Sequence, residues 1–252
     1  MRMHNNSHIS DQIVLITSSA EQGDANSQHE LGMLYVKGER VGQDFSQARF
    51  WFEKAAEQGN EYAQCNLGAL YLKGLGVEQD YSQARDWYGE AAAQGNEKAQ
   101  YNLGVLYMKG LGGEQDYVLA RLYFGDAAAQ GNVKAQDTLG VMYHKGLGGE
   151  QDNGLARVWF EEAAAQGNPG AQNHLGCLYD NGYGVPQDCG QASVWYEKAA
   201  VQGHAEAQYN LGILYDNGHG VTLDCGRARE WFEKAAAQGH AEAQHRLKIT
   251  VQ

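Results

Sequence analysis

The sequence predicts an all-α fold built from stacked helix–turn–helix repeats, because a block of 36 residues recurs six times. A glycine marks the same place in each copy, at Gly32, Gly68, Gly104, Gly140, Gly176 and Gly212. A tyrosine follows each of these glycines, at Tyr35, Tyr71, Tyr107, Tyr143, Tyr179 and Tyr215. A pair of aromatic residues has the same period, at Trp51-Phe52, Trp87-Tyr88, Tyr123-Phe124, Trp159-Phe160, Trp195-Tyr196 and Trp231-Phe232. Such self-similarity is typical of arrays in which each repeat packs against its neighbours.

The first helix of a repeat is predicted between Asn96 and Gly110. Asn96 is a good N-terminal cap, and Glu97 adds negative charge to the first turn. Leu103 and Leu106 then follow at helical spacing, and Gly110 stops the helix.

The second helix of the same repeat is predicted to begin after Asp116, which ends a glycine-rich loop and serves as a second cap. Its apolar side carries Ala120, Phe124 and Ala127. Small residues at Ala120, Ala127 and Gly104 let the two helices approach closely, and the aromatic pair fills the remaining space. Neither helix buries its apolar face alone, so each repeat needs its neighbours.

The repeat frame predicts one continuous array over residues 1–252. Residues 11–23 match the end of a repeat and are predicted to form a lone second, outer helix. Six full repeats cover residues 24–239, and residues 240–252 are predicted to form a closing first helix. The array then has about fourteen helices.

The net charge of −12 argues against a nucleic-acid partner, because the phosphate backbone rewards clustered Lys and Arg. It also argues against adsorption to an anionic membrane, and no segment has the roughly 20 apolar residues of a membrane helix. The N-terminal apolar run, residues 13–17, is too short to be the apolar region of a signal peptide. We expect a cytoplasmic chain with reduced cysteines, or a periplasmic or secreted one if a leader was removed.

No catalytic, cofactor-binding or metal-binding residue is predicted. The loops contain Gly-x-Gly, but no strand precedes them and no Lys-Ser/Thr follows, so they do not resemble phosphate loops. His240 and His245 are not at the spacing of a two-histidine metal site on a helix. His204 and His240 stand at the cap position that asparagine holds in other repeats, which favours substitution within a repeat over metal binding. These asparagines are Asn60, Asn96, Asn132 and Asn168.

The pattern A-x-x-x-L-G-x-x-Y-x-x-G, followed by G-V-x-Q-D, A-x-x-W-Y/F and A-A-x-Q-G, resembles the Sel-one-like repeat family, longer relatives of the tetratricopeptide repeat. The resemblance covers nearly the whole chain. It implies a right-handed α/α superhelical solenoid of antiparallel helix pairs that binds and scaffolds other proteins. Family members occur in signalling complexes and in bacterial contacts with host cells.

The resemblance therefore predicts a non-catalytic scaffold or adaptor with a protein or peptide partner. One alternative is a secreted or surface module of a bacterium that binds host proteins. Some secreted relatives carry a disulfide in every repeat, and one group binds penicillin-type compounds. This chain lacks that cysteine framework, so a penicillin-binding or β-lactamase-like activity is the least favoured alternative.

By the same resemblance, the first helix of each repeat lines the concave face, where a partner binds. Its predicted basic residues are Lys37, Lys73, Lys98, Lys109, Lys134 and Lys145. Its predicted acidic residues are Asp180, Glu206 and Asp216. The change of sign after the fourth repeat suits a bipolar partner whose acidic part lies toward the N-terminal repeats. The alternative is repeat drift with solvated charges.

Five uncharged residues complete the predicted surface: Asn66, Asn102 and Asn210, with Tyr101 and Tyr209. The amides suit an extended peptide backbone, because an amide both donates and accepts. The tyrosines suit an interface hot spot. The alternative for the amides is hydrogen bonding within the stack, and for the tyrosines it is packing between neighbouring helices.

Overall fold

The structure, a computed structural model, describes residues 2–38 and 41–249. The described residues form helices and no strand, which confirms the predicted all-α fold. The helices are α1 (Arg2–Glu21), α2 (Ala25–Lys37), α3 (Phe45–Glu57), α4 (Glu61–Lys73), α5 (Tyr81–Ala93), α6 (Glu97–Lys109), α7 (Tyr117–Ala129), α8 (Val133–Lys145), α9 (Asn153–Ala165), α10 (Pro169–Asn181), α11 (Cys189–Ala200), α12 (Ala205–Asn217), α13 (Cys225–Ala237) and α14 (Ala241–Ile249). The even-numbered helices are the first helices of the repeats, and the odd-numbered helices are the second.

The chain divides into two compact units, unit 1 (Met1–Gln130) and unit 2 (Gly131–Gln252). Within each unit, the first helix of each full repeat packs most extensively against the second helix that follows it, and α14 packs against α13. This pairing of consecutive helices is typical of a solenoid. The continuity of the array over 1–252 stays a prediction.

Polar caps determine where the helices of a repeat begin. The Asn96 side chain accepts a hydrogen bond from the Ala99 amide at 3.0 Å, and Asp116 accepts from the Leu119 amide at 2.9 Å. The first helix ends at Gly110, whose φ of 67° lies in the left-handed region that favours glycine. Both predicted caps and the predicted stop are therefore present.

In each of the six repeats, a glycine of the first helix lies directly against an aromatic ring of the second helix. A Cβ added at Gly104 would lie 2.9 Å from Cε1 of Phe124, closer than carbon atoms can approach. The same contact joins Gly32 to Phe52, Gly68 to Tyr88, Gly140 to Phe160, Gly176 to Tyr196 and Gly212 to Phe232. These rings are almost completely buried. The predicted close approach of the helix pair is thus confirmed, and its reason is the volume of the ring.

A ladder of buried glutamines links neighbouring helices within each unit, a feature the sequence analysis did not predict. Gln64 on α4 accepts a hydrogen bond from Gln94 at 2.7 Å and donates to the Ala56 carbonyl of α3 at 3.4 Å. The equivalent glutamine pairs are Gln58–Gln28, Gln130–Gln100, Gln166–Gln136, Gln202–Gln172 and Gln238–Gln208. Since a buried amide without a partner is costly, the ladder fixes how adjoining helices align within a unit.

The ends of the array differ from the prediction in their bounds. Helix α1 begins at Arg2 rather than near residue 11. The closing helix α14 ends at Ile249, and residues 250–252 lie outside the described residues. None of the described helices combines the length and hydropathy needed to cross a membrane.

We expect Gly104→Ala to destabilise the chain, because the added methyl group would collide with the buried Phe124 ring. Overpacking of this kind costs about 1–3 kcal/mol. Urea unfolding followed by circular dichroism measures the change.

Gly125→Ala on α7 is the matched control, because no heavy atom lies within 4 Å of a Cβ at that position. In that variant, helix propensity alone should raise stability by up to about 1 kcal/mol. Equal stability of the two variants would contradict the packing argument.

Candidate partner-binding surface

The first helices of unit 1 present an apolar strip bordered by lysines, which we call the unit 1 face. The strip consists of half-buried side chains: Met33, Val36, Ala69, Leu72, Val105 and Met108. Within each helix these positions are three residues apart, so they share one side. The bordering Lys37, Lys73 and Lys109 are exposed. The face therefore combines apolar contact area with positive charge along one edge.

The structure separates the predicted lysines into two rows. Lys73 and Lys109 end their helices, as do Lys37 and Lys145, whereas Lys98 and Lys134 are the second residues of theirs. Along a helix of 13 residues these positions are roughly 16 Å apart, at 1.5 Å per residue. The lysines thus lie along opposite edges of the first helices. The row at the helix ends also neutralises the partial negative charge of the last carbonyls.

The predicted acidic residues of unit 2 already have partners. Asp216 accepts a hydrogen bond from Nη1 of Arg246 at 2.8 Å. Asp180 accepts from the Cys189 thiol at 3.5 Å, and Glu206 lies 3.0 Å from Nε2 of His240. The electrostatic potential of this unit is less negative than the predicted acidic residues imply, because the positive charge of Arg246 offsets the negative charge of Asp216.

Two of the three predicted amides are hydrogen-bonded within the stack. Nδ2 of Asn66 lies 2.9 Å from Nε2 of His29, and Asn210 donates to Asn173 at 3.2 Å. In both contacts the hydrogen bond joins neighbouring first helices. The alternative given in the sequence analysis, hydrogen bonding of the amides within the stack, is therefore correct for these two residues. Asn102 is half-buried on α6. A partner can still use an Asn66 or Asn210 carbonyl oxygen, which can accept more than one hydrogen bond.

Both predicted tyrosines pack on aromatic neighbours and are half-buried. The Tyr101 ring centroid lies 5.6 Å from that of Phe124. The Tyr209 ring stacks on His240 at 4.6 Å and lies 5.7 Å from Phe232. Each tyrosine therefore supports the packing of a helix pair while keeping part of its ring accessible.

A pocket of about 430 Å³ opens at the N-terminal ends of α4 and α6 in unit 1. Predicted residues Lys98 and Asn66 line it together with His29, Tyr62 and Cys65, which were not predicted. Tyr62 could have been predicted from the sequence, because it occupies in its repeat the position that the predicted Lys98 occupies in the next repeat. His29 and Cys65 could have been predicted in the same way, because they occupy in their repeats the position of the predicted Tyr101 and Tyr209.

Burial determines the chemistry of this pocket. It lowers the pKa of the His29 imidazole, which favours the neutral form. It also raises the pKa of the Cys65 thiol to about 11. Tyr62 is 58% exposed and offers its ring to solvent. The pocket therefore offers contact area and hydrogen-bonding groups. Its Cys65 thiol is a poor nucleophile. In the part of the chain that the structure describes, no group of three or more His, Cys, Asp or Glu side chains is arranged to hold a metal ion.

Comparison with known families gives six consecutive matches to the Sel1 repeat, at residues 25–60, 61–96, 97–132, 133–168, 169–204 and 205–240. No curated protein sequence matched. These matches confirm the family resemblance seen in the sequence, with the same period and number of copies.

Two solved structures are similar to this chain. A protective antigen present in uropathogenic Escherichia coli strains, which displays an SLR fold, is 40% identical with a TM-score of 0.89. The match covers 93% of this chain and 50% of the antigen, so this chain spans about half the antigen's length. A Sel1 repeat protein from Oxalobacter formigenes is 33% identical with a TM-score of 0.74, over 85% of this chain and 86% of that one.

We expect alkylation by iodoacetamide at pH 8 to modify Cys225 first, because its side chain is exposed. Cys65 should resist, since a thiol with a pKa of about 11 is ionised in only about one molecule in a thousand at that pH. Burial also raises the pKa of Cys177, so it should react slowly. Peptide mass spectrometry gives the order of modification. In urea all four cysteines should react alike, and fast modification of Cys65 in the folded chain would contradict its burial.

Proposed function

The chain belongs to the Sel1 repeat family, whose members are generally protein-interaction modules, and we propose that it is a non-catalytic scaffold that binds a partner through its first helices. The observation that carries the proposal is the unit 1 face, where an apolar strip runs beside exposed lysines. Interfaces of this kind combine an apolar centre with a charged edge.

The partner segment that suits the unit 1 face alternates apolar and acidic residues. Among the described residues, neither Lys73 nor Lys109 is paired with a carboxylate, so both are available to an acidic partner. Met108 and Leu72 lie one residue before these lysines and provide apolar contact beside each charge. Successive helices are on the order of 10 Å apart, and an extended chain covers about 3.3 Å per residue. Each repeat therefore contacts roughly three residues of the partner.

A second candidate is a surface-exposed bacterial module that binds host proteins. The observation that favours it is the 40% identity to an antigen described as protective. Antibody labelling of intact, unpermeabilised cells distinguishes it from the cytoplasmic scaffold that we favour. Labelling would support the surface module, and labelling only after permeabilisation would exclude it.

We expect selection of a displayed random-peptide library on the immobilised chain to enrich peptides with alternating acidic and apolar residues. The double variant Lys73→Glu/Lys109→Glu should bind the enriched peptides at least about tenfold more weakly, because two attractive contacts become repulsive. Fluorescence polarisation with a labelled peptide, at low and high salt, measures the change.

The matched control is Lys54→Glu/Lys234→Glu, which makes the same charge change at exposed lysines of the second helices α3 and α13. This control should lose little affinity beyond the long-range effect of net charge. Equal losses in the two double variants, or no loss in either, would refute the assignment of the unit 1 face.

A further inference from the structure

Two first helices of unit 2 are capped by histidine. His204 precedes α12, and its Nδ1 accepts a hydrogen bond from the Ala207 amide at 3.2 Å. His240 precedes α14, and its Nδ1 accepts from the Ala243 amide at 3.3 Å. The other first helices begin after Asp or Asn, at Asp24, Asn60, Asn96, Asn132 and Asn168.

An imidazole can cap a helix only while Nδ1 keeps its lone pair. The capping ring is therefore neutral and carries its proton on Nε2. When the ring is protonated, both nitrogens become donors and the amide loses its acceptor. The carbonyl oxygen of an asparagine cap does not titrate in this range. Replacing asparagine by histidine thus makes the start of a helix sensitive to pH.

The surroundings of His204 oppose its protonation. The residue is half-buried at the start of α12. Burial lowers the pKa of His204, and the nearby His174 lowers it further, while Glu206 and Asp137 act in the opposite direction. Asp137 is already occupied by His174, at 2.8 Å from its Nδ1. Neighbouring carboxylates therefore give a positive charge on the His204 ring little stabilisation.

His240 has a different set of neighbours. Its Nε2 lies 3.0 Å from Glu206 and its Nδ1 lies 3.4 Å from Glu242, while its ring stacks on Tyr209. Two carboxylates therefore lie within 3.4 Å of the His240 ring nitrogens, so the cap of α14 differs from that of α12 in its charged surroundings.

We infer that the N-terminus of α12 is a proton-sensitive switch, in which protonation of His204 breaks the cap and releases the turn that carries Glu206. Because the folded chain holds His204 in its neutral form, the contribution of the cap is complete above about pH 6.5 and falls as the pH decreases below that value. The first turn of α12 also leads into Tyr209, so acid loosens a surface that contains two predicted partner residues. That consequence for binding rests on the proposed function, whereas the switch itself does not.

Two measurements on the full chain without a partner test the switch. A long-range ¹H–¹⁵N correlation spectrum at pH 8 should show His204 protonated on Nε2; a ring protonated on Nδ1 would overturn the inference. Amide hydrogen exchange, corrected for the intrinsic rate, should show the protection of Ala207 falling between pH 7.5 and pH 5.5, by up to about tenfold. The amide of Ala171, which is capped by Asn168, is the internal reference and should stay protected.

His204→Asn is the matched variant, because asparagine caps the equivalent helices. In this variant the protection of Ala207 should no longer depend on pH. The inference would be overturned if the protection of Ala207 fell equally in His204→Asn and in the original chain. It would also be overturned if the protection did not fall in the original chain. Because no partner is present, these outcomes are independent of whether the unit 1 face binds peptides.

Discussion

The contact between a glycine of each first helix and an aromatic ring of the second helix is the constraint on which every repeat depends. The ring of Phe124 fills the space that a side chain at residue 104 would need, and the equivalent rings are almost completely buried in the other repeats. Alanines around each ring are buried as well, because the helices are too close for larger side chains. The period of the sequence is therefore the period of this contact.

The glutamine ladder complements that contact between repeats. An apolar contact tolerates sliding, but a buried amide such as that of Gln64 needs partners in definite places. Gln64 donates to the Ala56 carbonyl of the preceding helix, and it accepts from Gln94, which caps the end of the following helix. Within each unit, packing thus sets the distance between helices, and the ladder sets their alignment. Positions outside both sets of contacts can differ between the copies, as Val36, Leu72 and Met108 do.

We propose that the function of the chain depends on those variable positions. In unit 1 they form an apolar strip with lysines along its edge and a pocket lined by Tyr62 and His29. In unit 2 they place histidine where asparagine otherwise caps a helix, and they pair Asp216 with Arg246. The same frame can therefore carry a charged contact surface in one unit and a proton-sensitive helix start in the other, because neither feature disturbs the buried contacts.

The sequence by itself determined the helix pairs, their caps and the residues that approach closely, because these depend on local propensity and on a period repeated six times. Through the family resemblance, it also predicted that the first helices carry the partner surface. Only the tertiary structure decided how that surface is arranged. It used Asn66 and Asn210 for hydrogen bonds within the stack, and it brought His29 and Cys65 into one pocket. Both outcomes depend on contacts between residues more than thirty positions apart, which a periodic pattern does not show.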